Sequence, residues 1–224
     1  VIRIPLAGWG VAFSERGDGD LRASGRAPGE SRELVVARLL GSLGLDGAAV
    51  ARQHHGADVA VLDAPVSGYS VGFEPADGIV TGLAGVAVGV HVADCLPIAL
   101  GSAGAVSMLH CGWRGLSGGI VGEGVRALRA LGADGPLEAV IGPGAGGCCY
   151  ETGEEVRERF SDWDASRGRL LDLKAVAAAQ LREAGVSTVA DVGLCTICAP
   201  ERRFFSHRRD GASTGRQGGY AWLG

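Results

Sequence analysis

Val86-Ala87-Val88-Gly89-Val90-His91-Val92-Ala93-Asp94-Cys95 is the stretch on which the fold turns. Its four valines alternate with Ala87, Gly89, His91 and Ala93, a period of two that specifies a strand with one bulky and one small face. Extending the alternation sets Cys95 on the small face with His91. Small residues there leave room for a ligand, and equally for a closely packed helix. On either side, residues 59–62, 78–81, 105–109 and 137–141 are short, rich in β-branched residues and bounded by Gly, Pro or Asp, so they also read as strands. A last strand is expected at 219–223.

Helical periodicity appears at 30–40, with Ser31 or Glu30 at the start, Leu34, Val35, Leu39 and Leu40 as the apolar stripe, and Gly41 as the stop. It returns at about 118–131, 152–160 and 172–184, the last opened by Asp172 as N-cap and closed by Gly185. Strands grouped in the middle, with helices before, between and after, do not follow strict βαβα alternation. The expectation is an α/β (α+β) protein, one domain over 1–224, with a mixed β-sheet core and helices packed outside, not a Rossmann fold. The Gly-rich stretch 142–147 lacks the lysine of a P-loop and the spacing of a dinucleotide fingerprint.

A chain of 224 residues, 46% hydrophobic, is long enough to bury a full core. Its 21 basic and 25 acidic residues leave a net charge of -4, so no bulk field favours nucleic acid or an anionic membrane. Lys174 is the single lysine, which makes arginine the general surface cation and requires each arginine to be argued from its position. The start, Val-Ile-Arg-Ile-Pro-Leu, has no basic region followed by a long apolar core, so the six cysteines are expected reduced, in the cytoplasm. Apolar runs stay short of the roughly 18 residues that mark a membrane span. Pattern leaves the oligomeric state open, with a monomer as the expectation.

Chemistry is concentrated in three polar islands at the edges of apolar runs: Gln53-His54-His55-Gly56, Asp94-Cys95 and His110-Cys111-Gly112-Trp113-Arg114-Gly115. Two imidazoles and a thiolate are the ligands of a zinc ion with one coordination position open, the arrangement of a catalytic site. Asp94, or another carboxylate behind the ligands, is expected to orient a ligating histidine or to accept a proton. His91, inside a strand, is expected to be a hydrogen-bonded core histidine. Cys195-Thr196-Ile197-Cys198 has the form of half a zinc ribbon, but adjacent Cys148-Cys149 does not supply a second pair of like spacing, so these four cysteines are expected to be packing.

With Ala76-Asp77-Gly78, Ala93-Asp94-Cys95-Leu96-Pro97, Ile141-Gly142-Pro143, Cys148-Cys149-Tyr150-Glu151, Phe204-Phe205-Ser206-His207-Arg208-Arg209-Asp210 and Thr214-Gly215-Arg216, the islands resemble the YfiH-like family from about residue 30 to the C-terminus. That family is known as polyphenol oxidase or laccase-domain proteins and as purine nucleoside phosphorylases. The resemblance implies one zinc per chain on His55, Cys95 and His110, with His55, Cys95, His110 and Asp94 as the catalytic set. It makes the cluster around Arg208 a wall of the active site and aligns Arg32 with an arginine at the start of the family's first helix. Gln53, Arg32, Arg114 and Arg208 are then the expected substrate and phosphate contacts. Two departures stand out: His54 where the family usually has Val, which makes it a second candidate ligand, and Cys111 where Ala is common. Gly56 fixes the alignment in favour of His55. The N-terminal third is shorter than in relatives.

Three chemistries compete. The first is a zinc-dependent purine nucleoside phosphorylase acting on inosine or adenosine, with adenosine deamination and methylthioadenosine phosphorolysis as companions. The second is a peptidoglycan-precursor amidohydrolase using the same Cys/His/zinc site. The third is the copper oxidase of the family's older name. A multicopper centre needs many imidazoles and usually an axial methionine, whereas this chain has five histidines and only Met108. Copper is therefore expected only as a substitute in the His-Cys-His site.

Overall fold

The computed structural model describes residues 1–22 and 31–224. The first strands are β1 (Ile2–Leu6), β2 (Trp9–Phe13), β3 (Gly47–Arg52), β4 (Val59–Leu62), β5 (Gly68–Pro75), β6 (Gly78–Thr81) and β7 (Val86–Val92). They are followed by β8 (Leu96–Gly101), β9 (Val106–Cys111), β10 (Glu138–Ile141), β11 (Ser166–Arg167), β12 (Leu170–Leu171), β13 (Thr188–Asp191) and β14 (Gln217–Leu223). The helices are α1 (Arg32–Leu43), α2 (Trp113–Ser117), α3 (Ile120–Ala130), α4 (Glu154–Arg157), α5 (Leu173–Glu183) and α6 (His207–Asp210). The mixed α+β architecture expected from sequence is present, with the core divided between two sheets. One sheet has the order β1-β2-β14-β7-β3-β5 and the other β13-β10-β8-β9-β6-β4, and each contains parallel and antiparallel pairs.

The period-two pattern of β7 sets the layering. Val88, Val90 and Val92 join Trp9, Phe13, Val106, Met108 and Val140 in a core between the sheets. Each such side chain contributes about 1.5–3 kcal/mol over its exposed state. The small face turns outward to α1, where Ala87 and Tyr220 pack with Val35, Val36, Leu39 and Leu40. A Cβ on Gly89 would lie 2.7 Å from the Tyr220 ring, so close packing accounts for the glycine. The far side of the second sheet is covered by α3 and α5 through Ile120, Leu128, Val176 and Leu181. The result is four layers: helix, sheet, sheet, helices.

Local signals hold at several boundaries and fail at others for identifiable reasons. Ser31 caps α1 by accepting from the Leu34 amide at 3.2 Å, while Glu30 lies outside the described residues. The helix runs through Gly41, which costs only about 1 kcal/mol in a helix interior, and ends at Gly44, whose φ of 73° an L side chain rarely adopts. Leu34 is exposed, so the buried stripe is Val35, Val36, Leu39 and Leu40. Asp172 caps α5 by accepting from the Lys174 and Ala175 amides. The sequence pattern misses β8, a central strand whose Pro97 reads as a break. Because β7 belongs to one sheet and β8 to the other, the chain crosses between layers at residues 93–95. Asp94 makes the turn with φ 92°, ending the alternation, and Cys95 packs against the intersheet core rather than on the small face. Among the described residues, no helix is long and apolar enough to cross a membrane.

Candidate metal centre and substrate cavity

The site begins with the register of β6 on β9. Gly78 pairs with Leu109, which brings Asp77 opposite His110, and the His110 amide donates to the Asp77 carbonyl at 2.7 Å. The Asp77 carboxylate is fully buried and takes Nδ1 of His110 at 2.7 Å. It also accepts the successive backbone amides of His54, His55 and Gly56 at 3.1, 2.9 and 2.6 Å. Wrapping three amides around one carboxylate holds His55 at φ 66°. Burial opposes ionisation of Asp77, but His110 and the amides of Gly56 and His54 outweigh it and bring the carboxyl down to about 2. With Nδ1 committed to an ionised carboxylate, Nε2 is the ring atom of His110 left for a ligand.

His55, Cys95 and His110 converge, each offering one donor atom, all within 4.8 Å of one another. The two imidazoles meet edge to face with centroids 4.8 Å apart. Burial works against a charged Cys95, yet the charge and hydrogen bond of His110, and then His55, hold its thiol at about 6. Burial likewise opposes charge on His110, but Cys95 and Asp77 raise it to about 9. A thiol poised to ionise between imidazoles suits a metal, because thiolate is the ligating form. Gly112 makes the approach possible: a Cβ there would lie 3.0 Å from the Cys95 sulfur. Nitrogen, sulfur and nitrogen donors fit one zinc-type ion with an open position. They do not fit a multicopper centre, since His54 turns to Asp58 and Asp77 at 3.2 and 3.3 Å and His91 lies 3.1 Å from the Tyr220 hydroxyl.

The three donors border a cavity of about 820 Å³ whose lining carries six arginines, Arg22, Arg32, Arg52, Arg114, Arg208 and Arg216, and one carboxylate, Asp94. Three of the guanidinium groups lie on aromatic rings: Arg32 on Tyr69 at 4.7 Å, Arg114 on Trp113 at 4.2 Å and Arg208 on Tyr150 at 5.0 Å. Stacking fixes a guanidinium while leaving its edge donors for an anion.

Several expected residues have other partners than those expected. Asp94 does not orient a histidine: its carboxylate accepts from Thr196 Oγ1 at 2.6 Å, Ser206 Oγ at 3.1 Å and the Arg208 amide at 2.6 Å. The left-handed turn at the layer crossing aims it at those loops, and Asp77 takes the orienting role. Gln53 spends both ends of its amide on the His91 backbone, donating at 2.7 Å and accepting at 2.8 Å, and so ties the loop after β3 to β7. Cys111 is buried, and burial, Cys95 and Asp77 together push its thiol well up, which keeps it protonated. The packing role expected of Cys148, Cys149, Cys195 and Cys198 is not what the fold gives them. Cys148 and Cys198 are exposed, and the four sulfurs gather in one place.

Asp77, Tyr150 and Arg216 stood in the sequence only as members of family-like motifs, with no role assigned, and Tyr69 and Arg52 were passed over. Tyr69 and Arg52 carried no signal, and Asp77, an acidic residue directly before a strand, by itself marks only a strand boundary.

An α+β protein with a candidate single-metal centre in an arginine-lined cavity is the class that fold and site define. The chain belongs to the YfiH-like family, described as multi-copper polyphenol oxidoreductase laccase, which it matches over residues 29–224. It is 38% identical over 188 residues to a purine nucleoside phosphorylase of Xylella fastidiosa, covering 77% of this chain and 71% of that one. A purine nucleoside phosphorylase of Streptomyces coelicolor is 40% identical over 205 residues, 86% of this chain and 81% of the relative. An adenosine deaminase from an unknown prokaryote is 34% identical over 204 residues, 82% and 77% of the two chains. Among solved structures, a Neisseria meningitidis protein superposes with a TM-score of 0.80 at 27% identity, over 97% of this chain and 95% of its own.

Proposed function

We propose that residues 1–224 act as one catalytic domain, a zinc-dependent purine nucleoside phosphorylase. The observation that carries this is the convergence of His55, Cys95 and His110 on a cavity rich in arginine. The names of the Xylella and Streptomyces relatives supply the substrate class. His55, Cys95 and His110 hold the ion, and Asp77 keeps the His110 ring turned so that Nε2 faces it. When bound, zinc supplies a positive centre with one position open to phosphate or to water.

The residues of the chain do the rest. Arg32, Arg114 and Arg208, held on their rings, bind phosphate oxygens through paired N–H groups and orient one oxygen toward the ribose C1′. That oxygen forms a bond to C1′ as the glycosidic bond breaks, and the electron pair leaves with the purine. Tyr69, Tyr150 and Trp113, their faces occupied by these guanidiniums, offer ring edges for the base. Inosine and adenosine are the proposed substrates, and methylthioadenosine differs from adenosine only at the 5′ position.

Water in place of phosphate, attacking the purine C6, gives the deamination for which the third relative is named. A second reading rests on the order Cys95, His110, Asp77, which is that of a nucleophile, its base and an orienting carboxylate. That order would serve amide hydrolysis, including that of peptidoglycan precursors.

Metal-defined protein incubated with inosine or adenosine, with and without phosphate, tests these readings. Base release that requires phosphate and is abolished by a chelator is the expected result. Inosine formed from adenosine would select deamination, and inertness toward both nucleosides would overturn the nucleoside reading in favour of the hydrolase.

A further inference from the structure

Away from the cavity, the two cysteine pairs meet at the end of a sheet. β10 and β13 run parallel, with Ile141 beside Asp191, so the loops that follow them leave in the same direction. The pairing continues into those loops, where the Gly144 amide donates to Leu194 and the Thr196 amide to Gly144. In the first loop, the amides of Cys149 and Tyr150 both donate to the Gly146 carbonyl, making a tight helical turn. Neighbouring side chains on such a turn diverge by about 100° rather than 180°. Adjacent Cys148 and Cys149 can therefore serve one centre, which strand geometry would forbid.

The sulfurs of Cys148, Cys149, Cys195 and Cys198 all lie within 4.8 Å of one another, and those of Cys148 and Cys198 are 3.6 Å apart. Four thiolates around zinc at about 2.3 Å stand about 3.8 Å from each other. Hydrophobic packing would bury the thiols, yet Cys148 and Cys198 are exposed. The Cys195 sulfur accepts the Gly146 amide at 3.3 Å. Amides directed at the first sulfur of a C-x-x-C turn stabilise a thiolate there.

From this geometry we infer a second metal site, a structural zinc held by Cys148, Cys149, Cys195 and Cys198. It clasps the loop after β10 to the loop after β13. Both loops also support the wall of the substrate cavity: Tyr150 follows Cys149 and lies under Arg208, and Thr196, inside the C-x-x-C turn, holds the lining residue Asp94 at 2.6 Å. The clasp thus fixes one wall of the cavity without touching the substrate.

Zinc analysis of Cys95→Ala and of a Cys148→Ser, Cys198→Ser double variant tests the inference separately from the nucleoside reading. Cys95→Ala is expected to keep one zinc per chain, and cobalt in its place should give intense tetrahedral and thiolate charge-transfer bands. The double variant should lose that zinc. Wild type holding a single zinc that Cys95→Ala retains would leave the clasp standing and remove the metal from the cavity. A Cys95→Ala protein free of zinc overturns the clasp. Should the double variant fail to fold, thiol alkylation of native wild type decides. Protection of Cys148, Cys149, Cys195 and Cys198 until a chelator is added supports the metal. Free alkylation without chelator, or an intact mass four hydrogens lower from two disulfides, overturns it.

Discussion

The Asp77 carboxylate stands 2.7 Å from Nδ1 of His110 and at the same time gathers the amides of His54, His55 and Gly56. One buried group therefore sets two of the three proposed metal ligands, one through its ring and the other through its backbone. Asp77→Asn keeps the shape but turns an NH₂ group toward N–H donors. Metal affinity is expected to fall about 10–100-fold, measured by competition with a chelator. Stability should drop by about 3 kcal/mol, because buried donors lose their acceptor. A thermal melt of metal-free protein separates the two effects.

Gly112→Ala is a steric test of the same centre. The added methyl would sit 3.0 Å from the Cys95 sulfur and 3.7 Å from the His55 ring, while the backbone of Gly112, at φ -82°, accepts alanine without strain. Metal retention should fall at least about tenfold with the far-ultraviolet circular dichroism unchanged. A fully loaded, fully active alanine variant would contradict the assignment of Cys95 as a ligand.

Arg208→Ala and Arg114→Ala should each raise KM for phosphate by about tenfold or more, as expected for one charge-assisted hydrogen bond of about 1.5–3 kcal/mol. KM for inosine should change far less. Arg208 also donates to the Glu151 carbonyl at 2.6 Å and lies over Tyr150, so Arg208→Lys should restore little, since lysine neither stacks as a plane nor binds in a fork. Equal rises for both substrates would point to a distorted wall instead.

Asp210, which belongs to neither group of proposed ligands, supplies a pH test. Its carboxylate accepts from Arg209 at 2.8 and 2.9 Å, from Arg16 at 2.9 Å and from Arg202. Hydrogen bonding to Arg209 leads the causes that hold it well below the usual carboxylate range, against its partial burial. A depressed folded pKa stabilises above the unfolded value of about 3.9 and is lost as pH falls below it. Asp210→Asn should lower Tm by about 4 °C at pH 7, a modest figure because Arg202 is exposed to solvent. The gap between variant and wild type should shrink on acidification below pH about 4, as followed by calorimetry. A gap that widens there would reject the assigned sign.

The strand pattern was legible where alternation is strong, as in β7, and the polar islands marked the right chain segments because chemistry-bearing residues interrupt apolar runs. What escaped is what depends on neighbours in space. β8 was hidden by Pro97, tolerated in a central strand because it stands near the start of β8, beyond the last residue paired with β10. The orienting carboxylate was named as Asp94 or another carboxylate, since only the pairing of Gly78 with Leu109 reveals that Asp77 is the one that reaches His110. Gln53 lines the cavity, but a polar residue beside a histidine carries no mark in the sequence of having both ends of its amide engaged. The four cysteines read as packing because spacing along the chain cannot express two loops leaving parallel strands side by side.

The crossing at residues 93–95 gives the site an unusual parentage. His55 comes from the loop after β3 in one sheet, His110 from β9 in the other, and Cys95 from the strap that joins the sheets. No single layer owns the centre, and a fragment ending at Val92 would carry only one of the three donors. The seating of one sheet on the other is thereby written into the bite of the ligands. A trimmed side chain at Val90 or Met108, well inside the protein, should announce itself as faster metal release before it shows as lost fold.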